Sequence, residues 1–150
     1  MQRQQGFSYV IVMFLVAVLS IVAVRALENT LTAERRDKEE QLLWVGQAYA
    51  DAIAAYYNGS QGTQKRWPKT PDDLLLDEHA NRVSRPLRKL YRDPITGSKA
   101  WGYVYNGDDL IGVYSLSTLK PLKRDQFPPE QASFRNAASY QNWKFVYVPQ

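Results

Sequence analysis

The sequence predicts an α+β fold: one long N-terminal α-helix, half apolar and half amphipathic, packed on a small antiparallel β-sheet domain. Three observations carry this. No proline or glycine occurs over residues 7–45, and helix formers dominate residues 26–57. Aromatic residues alternate over 101–105, and the turn residues Asn106-Gly107-Asp108-Asp109 separate them from an apolar run at 110–116, the pattern of a hairpin. A third alternating segment covers 143–148, with Trp143, Phe145 and Tyr147 set against Lys144, Val146 and Val148.

The helix divides by chemistry. Residues 1–6 form a polar leader that ends in Gly6, and residues 7–24 carry no charge. As a helix those eighteen residues span roughly 27 Å, just under the ~30 Å of a bilayer's hydrocarbon core. Ala26 and Leu27 extend the span if Arg25 snorkels to the headgroups, so the membrane-crossing segment is residues 7–27. Residues 28–57 continue the helix as an amphipathic half, and Asn58-Gly59 stops it. Leu42, Val45, Tyr49, Ala52 and Tyr56 recur at helical spacing, the stripe expected to pack on the globular part. Charged residues 35–40 read as a solvated turn of helix, with room for weak ion pairs between subunits. About 50 residues of helix reach roughly 75 Å, more than a small domain needs.

Residues 58–150 form a small α+β globular domain. A polar loop at 60–69 leads to Thr70-Pro71-Asp72-Asp73, a helix start with a capping threonine and an acidic third position. That helix is expected to reach about Glu78. Arg82, Arg85, Arg88, Lys89 and Arg92 form a basic stretch; in helical form Arg85, Arg88, Lys89 and Arg92 share one face, either solvated or directed at an acidic partner such as a neighbouring subunit or anionic headgroups. Asp93-Pro94 and Thr96-Gly97 read as a turn. Gly112 inside the second strand marks a bulge or a large neighbour. Residues 121–142 are irregular, broken by Pro128-Pro129, with a few helical turns at about 130–138.

Composition narrows the chemistry. The 150 residues include no cysteine, which removes disulfides and thiol sites; aromatic residues, ten of them tyrosines, are expected to supply much of the burial. The net charge of +4, +3 without Arg3, is too mild for a nucleic-acid protein. The single histidine, His79, stands at a helix end, and no phosphate loop, nucleophile elbow or zinc-protease motif occurs. Asp72-Asp73 is explained by capping and the helix dipole. No enzymatic role and no cofactor are expected. Asp108 and Asp109 are the candidates for calcium, which takes six to eight oxygens; the plain reading of the pair is a turn.

The junction Gly6-Phe7-Ser8-Tyr9-Val10 resembles the prepilin motif Gly-Phe-Thr-Leu-Ile-Glu of type IV pilins and type II secretion pseudopilins. The resemblance covers the first ~50 residues. Trp67-Pro68, Thr70-Pro71-Asp72-Asp73-Leu74, Asp93-Pro94 and Gly97 are also similar, less specifically, to the globular part of major pseudopilins. The resemblance implies a structural subunit of a membrane-rooted filament. A prepilin peptidase would cut after Gly6 and methylate the new N-terminus at Phe7. Other pseudopilin subunits, an inner-membrane assembly platform and the lipid bilayer would be its partners, with the globular domain in the periplasm. The family's glutamate falls on Ile11, a departure that points to a minor, tip or accessory subunit. Against this stand the cations Arg25, Arg35, Arg36 and Lys38 after the apolar run, which by the positive-inside rule favour the opposite orientation. A single-pass anchored binding module that does not polymerise is the alternative.

Overall fold

The computed structural model describes residues 5–60, 65–76 and 84–149, with side chains from residue 8 onward. The fold is α+β, with one long helix and a three-stranded antiparallel sheet. It divides into two compact units, Met1–Arg36 and Asp37–Gln150.

Helix α1 is Gln5–Gly59. It ends where Asn58-Gly59 predicts, and Ser60 finishes it. The Ser60 hydroxyl donates to the Tyr56 carbonyl at 3.1 Å and accepts the Arg66 N–H at 3.3 Å, so one otherwise unpaired carbonyl of the last turn finds a partner.

In the first unit the side chains of residues 8–24 are all exposed. Ser20 lies within this apolar stretch, and its hydroxyl donates to the Val16 carbonyl at 2.8 Å. A hydroxyl satisfied on its own helix adds little cost in hydrocarbon.

The second unit has its own core. The stripe Leu42, Val45, Tyr49, Ala52 and Tyr56 is buried, and Ile53 joins it. These residues pack with Leu110 and Val113 of the sheet and with Trp101, Phe134, Tyr140, Trp143 and Phe145. Phe134 stacks on Trp143 at 5.6 Å, and Tyr140 meets the same indole edge-on at 5.3 Å. Aromatic area therefore does much of the work of a small core.

Strands β1 (Gly102–Asn106), β2 (Asp109–Tyr114) and β3 (Lys144–Val146) lie in the order β1-β2-β3. Asn106 pairs with Asp109 across a two-residue turn at Gly107 and Asp108. Gly107 has φ +63°, a backbone region that glycine enters without strain. The bulge foreseen near Gly112 falls beside it: Val104 pairs with Gly112 but Tyr105 with Leu110, which leaves Ile111 as the extra residue. Gly112 itself lies against the backbone of β3, with Val146 as its partner. The third strand is three residues, shorter than the alternation over 143–148 predicts, because the ladder with β2 covers only Gly112 to Tyr114. Its alternation survives: Trp143 and Phe145 are buried, while Val148 is exposed.

Two expectations need correction. The helix begun by Thr70 is a single 3-10 turn, Pro71–Leu74, among the described residues. The Asp73 carboxylate does accept the N–H groups of Lys69 and Thr70, at 2.8 and 2.9 Å. But the Leu74 carbonyl accepts the Leu87 N–H at 2.8 Å, which removes the acceptor that a continuing α-helix would use. Glu78, His79 and Arg82 lie outside the described residues. The segment 129–142 likewise holds two 3-10 pieces, Pro129–Phe134 and Tyr140–Asn142, in place of α-helical turns.

Gly46 lies under the Phe145 ring, where a Cβ would overlap the aromatic carbons. Gly46→Ala gains about 1 kcal/mol of helix propensity and meets an overpacking cost of about 1–3 kcal/mol. The expected outcome is a net loss of stability, read as a lower urea midpoint. An unchanged or raised midpoint would refute the contact.

Candidate functional site

The candidate site is a surface, and its chemistry begins with the exposed half of α1. Residues 8–24 present Tyr9, Val10, Ile11, Val12, Met13, Phe14, Leu15 and further apolar side chains to the outside. The helix has a window of mean hydropathy 2.8, none of it buried, so it is long and apolar enough to cross a membrane. Covering each such side chain is worth about 1.5–3 kcal/mol, which makes an uncovered stripe of this length a strong driving force for insertion or packing. Gly6 and Phe7 fall within α1, and their side chains are outside the described set. Ile11 is 46% exposed on this surface, where no carboxylate stands.

The charged turn at residues 35–40, expected from the sequence to be mostly solvated, is so only in part. Arg36, Asp37 and Glu40 are exposed, Arg35 and Lys38 are half-buried, and Glu39 is 3% exposed. The Glu39 carboxylate accepts the Leu122 N–H, the Lys123 N–H at 3.2 Å and the Tyr140 hydroxyl at 2.8 Å. A buried carboxylate is tolerable when its oxygens are met by donors in this way. Glu39 therefore ties α1 to the loop at 119–123 and to the 3-10 turn carrying Tyr140. The signal for it was its place three residues before Leu42, on the shoulder of the buried stripe.

A second buried carboxylate organises the turn after the basic stretch. Asp93 is fully buried, accepts the Ile95 N–H at 2.9 Å and takes a hydrogen bond from the Ser115 hydroxyl at 2.7 Å. Ser115 in turn accepts the Ser117 N–H. The Asp93-Pro94 turn is where the sequence puts it, but its anchoring role comes from Ser115, at the far end of β2.

The basic stretch is not helical among the described residues. Arg85, Arg88, Lys89 and Arg92 are exposed along an irregular segment, so the shared helical face is withdrawn. Leu87 is buried in the middle of it, and the Tyr91 N–H is bonded to the Tyr49 hydroxyl at 3.0 Å, which fixes the segment as an extended strap over α1. Arg85 turns back to the Leu75 carbonyl and Arg92 to the Gly97 carbonyl. Asp108 and Asp109 occupy the hairpin turn and the first position of β2. Among the described residues no group of three or more histidines or carboxylates converges as a metal site.

No protein-family model matches this chain, and no curated protein and no solved structure matches it. The fold and surface define the class: a small α+β unit carried on a helix able to span a bilayer.

Glu39→Ala leaves the Leu122 and Lys123 N–H groups and the Tyr140 hydroxyl buried without their acceptor. The expected loss is about 2–4 kcal/mol, measured by chemical denaturation; a change under about 0.5 kcal/mol would show that the clamp is not structural. Tyr49 gives a pH test. Burial pushes its phenol up to about 12, with the Tyr91 N–H bond acting in the opposite sense. A raised folded-state value means that stability is intact below about pH 10 and declines as the pH rises toward 12. Spectrophotometric titration should resolve one tyrosine ionising near 12, absent in Tyr49→Phe.

Proposed function

We propose that this chain is a structural subunit, a pseudopilin, of a membrane-rooted filament belonging to a type II secretion system or a type IV pilus machine. Prepilin peptidase cleaves between Gly6 and Phe7 and methylates Phe7. The subunit waits in the bacterial inner membrane with its globular unit in the periplasm. It then leaves the bilayer through the assembly platform and packs its apolar helix against those of other subunits. The chain acts as a scaffold and not as an enzyme.

The observation that carries this reading is the Gly6-Phe7 junction opening directly onto an apolar helical surface that the chain does not cover. One surface suits two environments in turn, because lipid tails and neighbouring apolar helices are comparably favourable to it. Ile11 in the family's glutamate position supports a minor, tip or accessory place. Such a carboxylate would neutralise a terminal amine buried among helices, and a subunit at the end of the array buries that amine less.

A second reading, an anchored periplasmic binding module that never polymerises, needs only the apolar span; the cations Arg25, Arg35, Arg36 and Lys38 after that span favour the opposite orientation and count against a periplasmic globular unit in either reading. N-terminal sequencing of material from native membranes separates the two. A chain starting at N-methyl-Phe7 is the expected result; an intact residue 1 favours the anchor. Ile11→Glu should raise incorporation into filaments, read by the sheared-filament fraction, and wild-type protein at major-subunit abundance would remove the accessory assignment.

A further inference from the structure

Exposed leucines and cations meet on one loop of the globular unit, residues 116–124. Leu116, Leu119 and Leu122 recur at every third position and are 42%, 55% and 37% exposed. Lys120, Lys123 and Arg124 stand between and after them, and the loop contains no acidic residue. Lys120 and Arg124 are exposed, and the Lys123 ammonium lies 4.9 Å over the Phe127 ring. The acid that follows, Asp125, is paired with Arg135 at 2.9 Å. Trp44, 61% exposed, borders a second apolar surface, a groove of about 510 Å³, but Asp51 and Arg88 both line it, so that groove selects no sign of partner.

The leucine loop is held rigidly despite its exposure. Glu39 takes its Leu122 and Lys123 N–H groups, and the Tyr140 N–H donates to the Leu119 carbonyl at 3.1 Å. Gln141 donates to the Leu116 carbonyl at 3.1 Å, and the Asn136 N–H to the Arg124 carbonyl at 3.2 Å. Leucines displayed on a loop with this many backbone ties cost little further entropy on binding.

The loop's place in the unit indicates what it meets. It is tied to Glu39, near the start of Asp37–Gln150, the end from which the chain leads back to the apolar span. Tyr56 marks the opposite end, roughly 26 Å along α1, where it lines one cavity with Trp67 and Asp109. The exposed acids Asp37 and Glu40 project about 160° and 100° around the helix from Glu39, away from the loop that Glu39 faces. Roughly 18 Å of helix separates Leu27 from Glu39. The headgroup layer takes about 5–7 Å of that length, and tilt of a spanning helix takes up more. A chain anchored by residues 7–27 therefore keeps the loop at high effective concentration beside lipid.

We infer that this loop docks on an anionic lipid surface, with Leu116, Leu119 and Leu122 entering the headgroup layer and Lys120, Lys123 and Arg124 set against lipid phosphates. Apolar side chains interleaved with cations are the two signals that together hold a segment at such an interface. The inference goes beyond the filament reading. It needs the span, and anionic headgroups on whichever side the globular unit lies, but not cleavage at Gly6. A docked loop orients the unit on the bilayer, and a subunit entering a filament has to release it.

The chain has no cysteine, so single-cysteine probes are clean. Thr118 lies in the loop and Asp108 in the hairpin turn near the Tyr56 end, and both are exposed. Full-length Thr118→Cys and Asp108→Cys are labelled with a fluorophore and placed in nanodiscs containing spin-labelled lipid. The discs are made of phosphatidylcholine alone or of equal parts phosphatidylcholine and phosphatidylglycerol. The expected result is strong quenching at position 118 and little at position 108, in the phosphatidylglycerol discs only. Across a salt titration, Arg124→Ala should weaken docking about fivefold, the worth of one basic residue at an anionic surface. Leu119→Gln should weaken it about tenfold, and Arg124→Lys should leave it unchanged. Unchanged thermal melts would show that the variants are folded. Equal quenching at positions 118 and 108 would overturn the inference, as would quenching at 118 that does not need phosphatidylglycerol. A photocrosslinker at position 118 in native membranes that labels protein and no phospholipid would assign the loop to a protein partner and overturn it too. The discs contain no peptidase, so docking by a chain that retains residue 1 upholds the contact whatever N-terminal sequencing shows.

Discussion

A carboxylate buried against the backbone of a loop 83 residues later in the chain is the constraint on which the globular unit depends. Glu39 stands near the start of that unit, ahead of the apolar stripe that forms its core. With its oxygens occupied by two N–H groups and a tyrosine hydroxyl, it locates the 119–123 loop, and through Tyr140 it locates the Trp143 end of β3. Asp93 repeats the device elsewhere in the unit, holding the Asp93-Pro94 turn to Ser115. The long irregular connections of this small unit are thus ordered by side chains that accept backbone hydrogens, since there is too little regular structure to do it. A unit of this size, Asp37–Gln150, leaves a large share of its surface in water, and such fixed points supply the specificity that bulk burial lacks.

The helix joins two solvents by changing its pattern. Over residues 8–24 it is apolar on every side, the pattern of a helix meant to be surrounded by hydrocarbon or by other helices. From Leu42 onward only one stripe is buried and the opposite residues are charged or open. Both patterns are written on one uninterrupted backbone because no proline or glycine intervenes before Gly46, and Gly46 is tolerated because it lets Phe145 lie against the helix. A glycine that weakens the helix locally is offset by the aromatic contact it admits.

Sequence reading fared unevenly, and the reasons are local. The stripe, the helix stop, the hairpin turn and the bulge beside Gly112 were legible because each depends on short-range geometry. The basic stretch misled because spacing alone made Arg85, Arg88, Lys89 and Arg92 a helical face, whereas Leu87 and the Tyr49–Tyr91 bond draw the segment down as a strap. The short helix after Thr70 was rightly started and wrongly extended, since the Leu87 N–H captures the Leu74 carbonyl. Glu39 hid among five charged neighbours. Nothing in its own type distinguishes it from Glu40; its place three residues before Leu42 sets it on the shoulder of the stripe, and a loop from the far end of the chain supplies the donors that let it be buried.

The amino-acid sequence by itself determined the α+β class, the apolar span, the helix stop and the hairpin, because propensity, periodicity and turn chemistry act over a few residues. It also determined the Gly6-Phe7 junction, which is a matter of adjacency. Tertiary structure decided which carboxylates are buried, that Trp44 stays open beside a groove, and that the leucines of residues 116–124 are displayed on a rigid loop. Those outcomes depend on which distant backbone groups arrive beside each side chain, and no local pattern encodes that arrival.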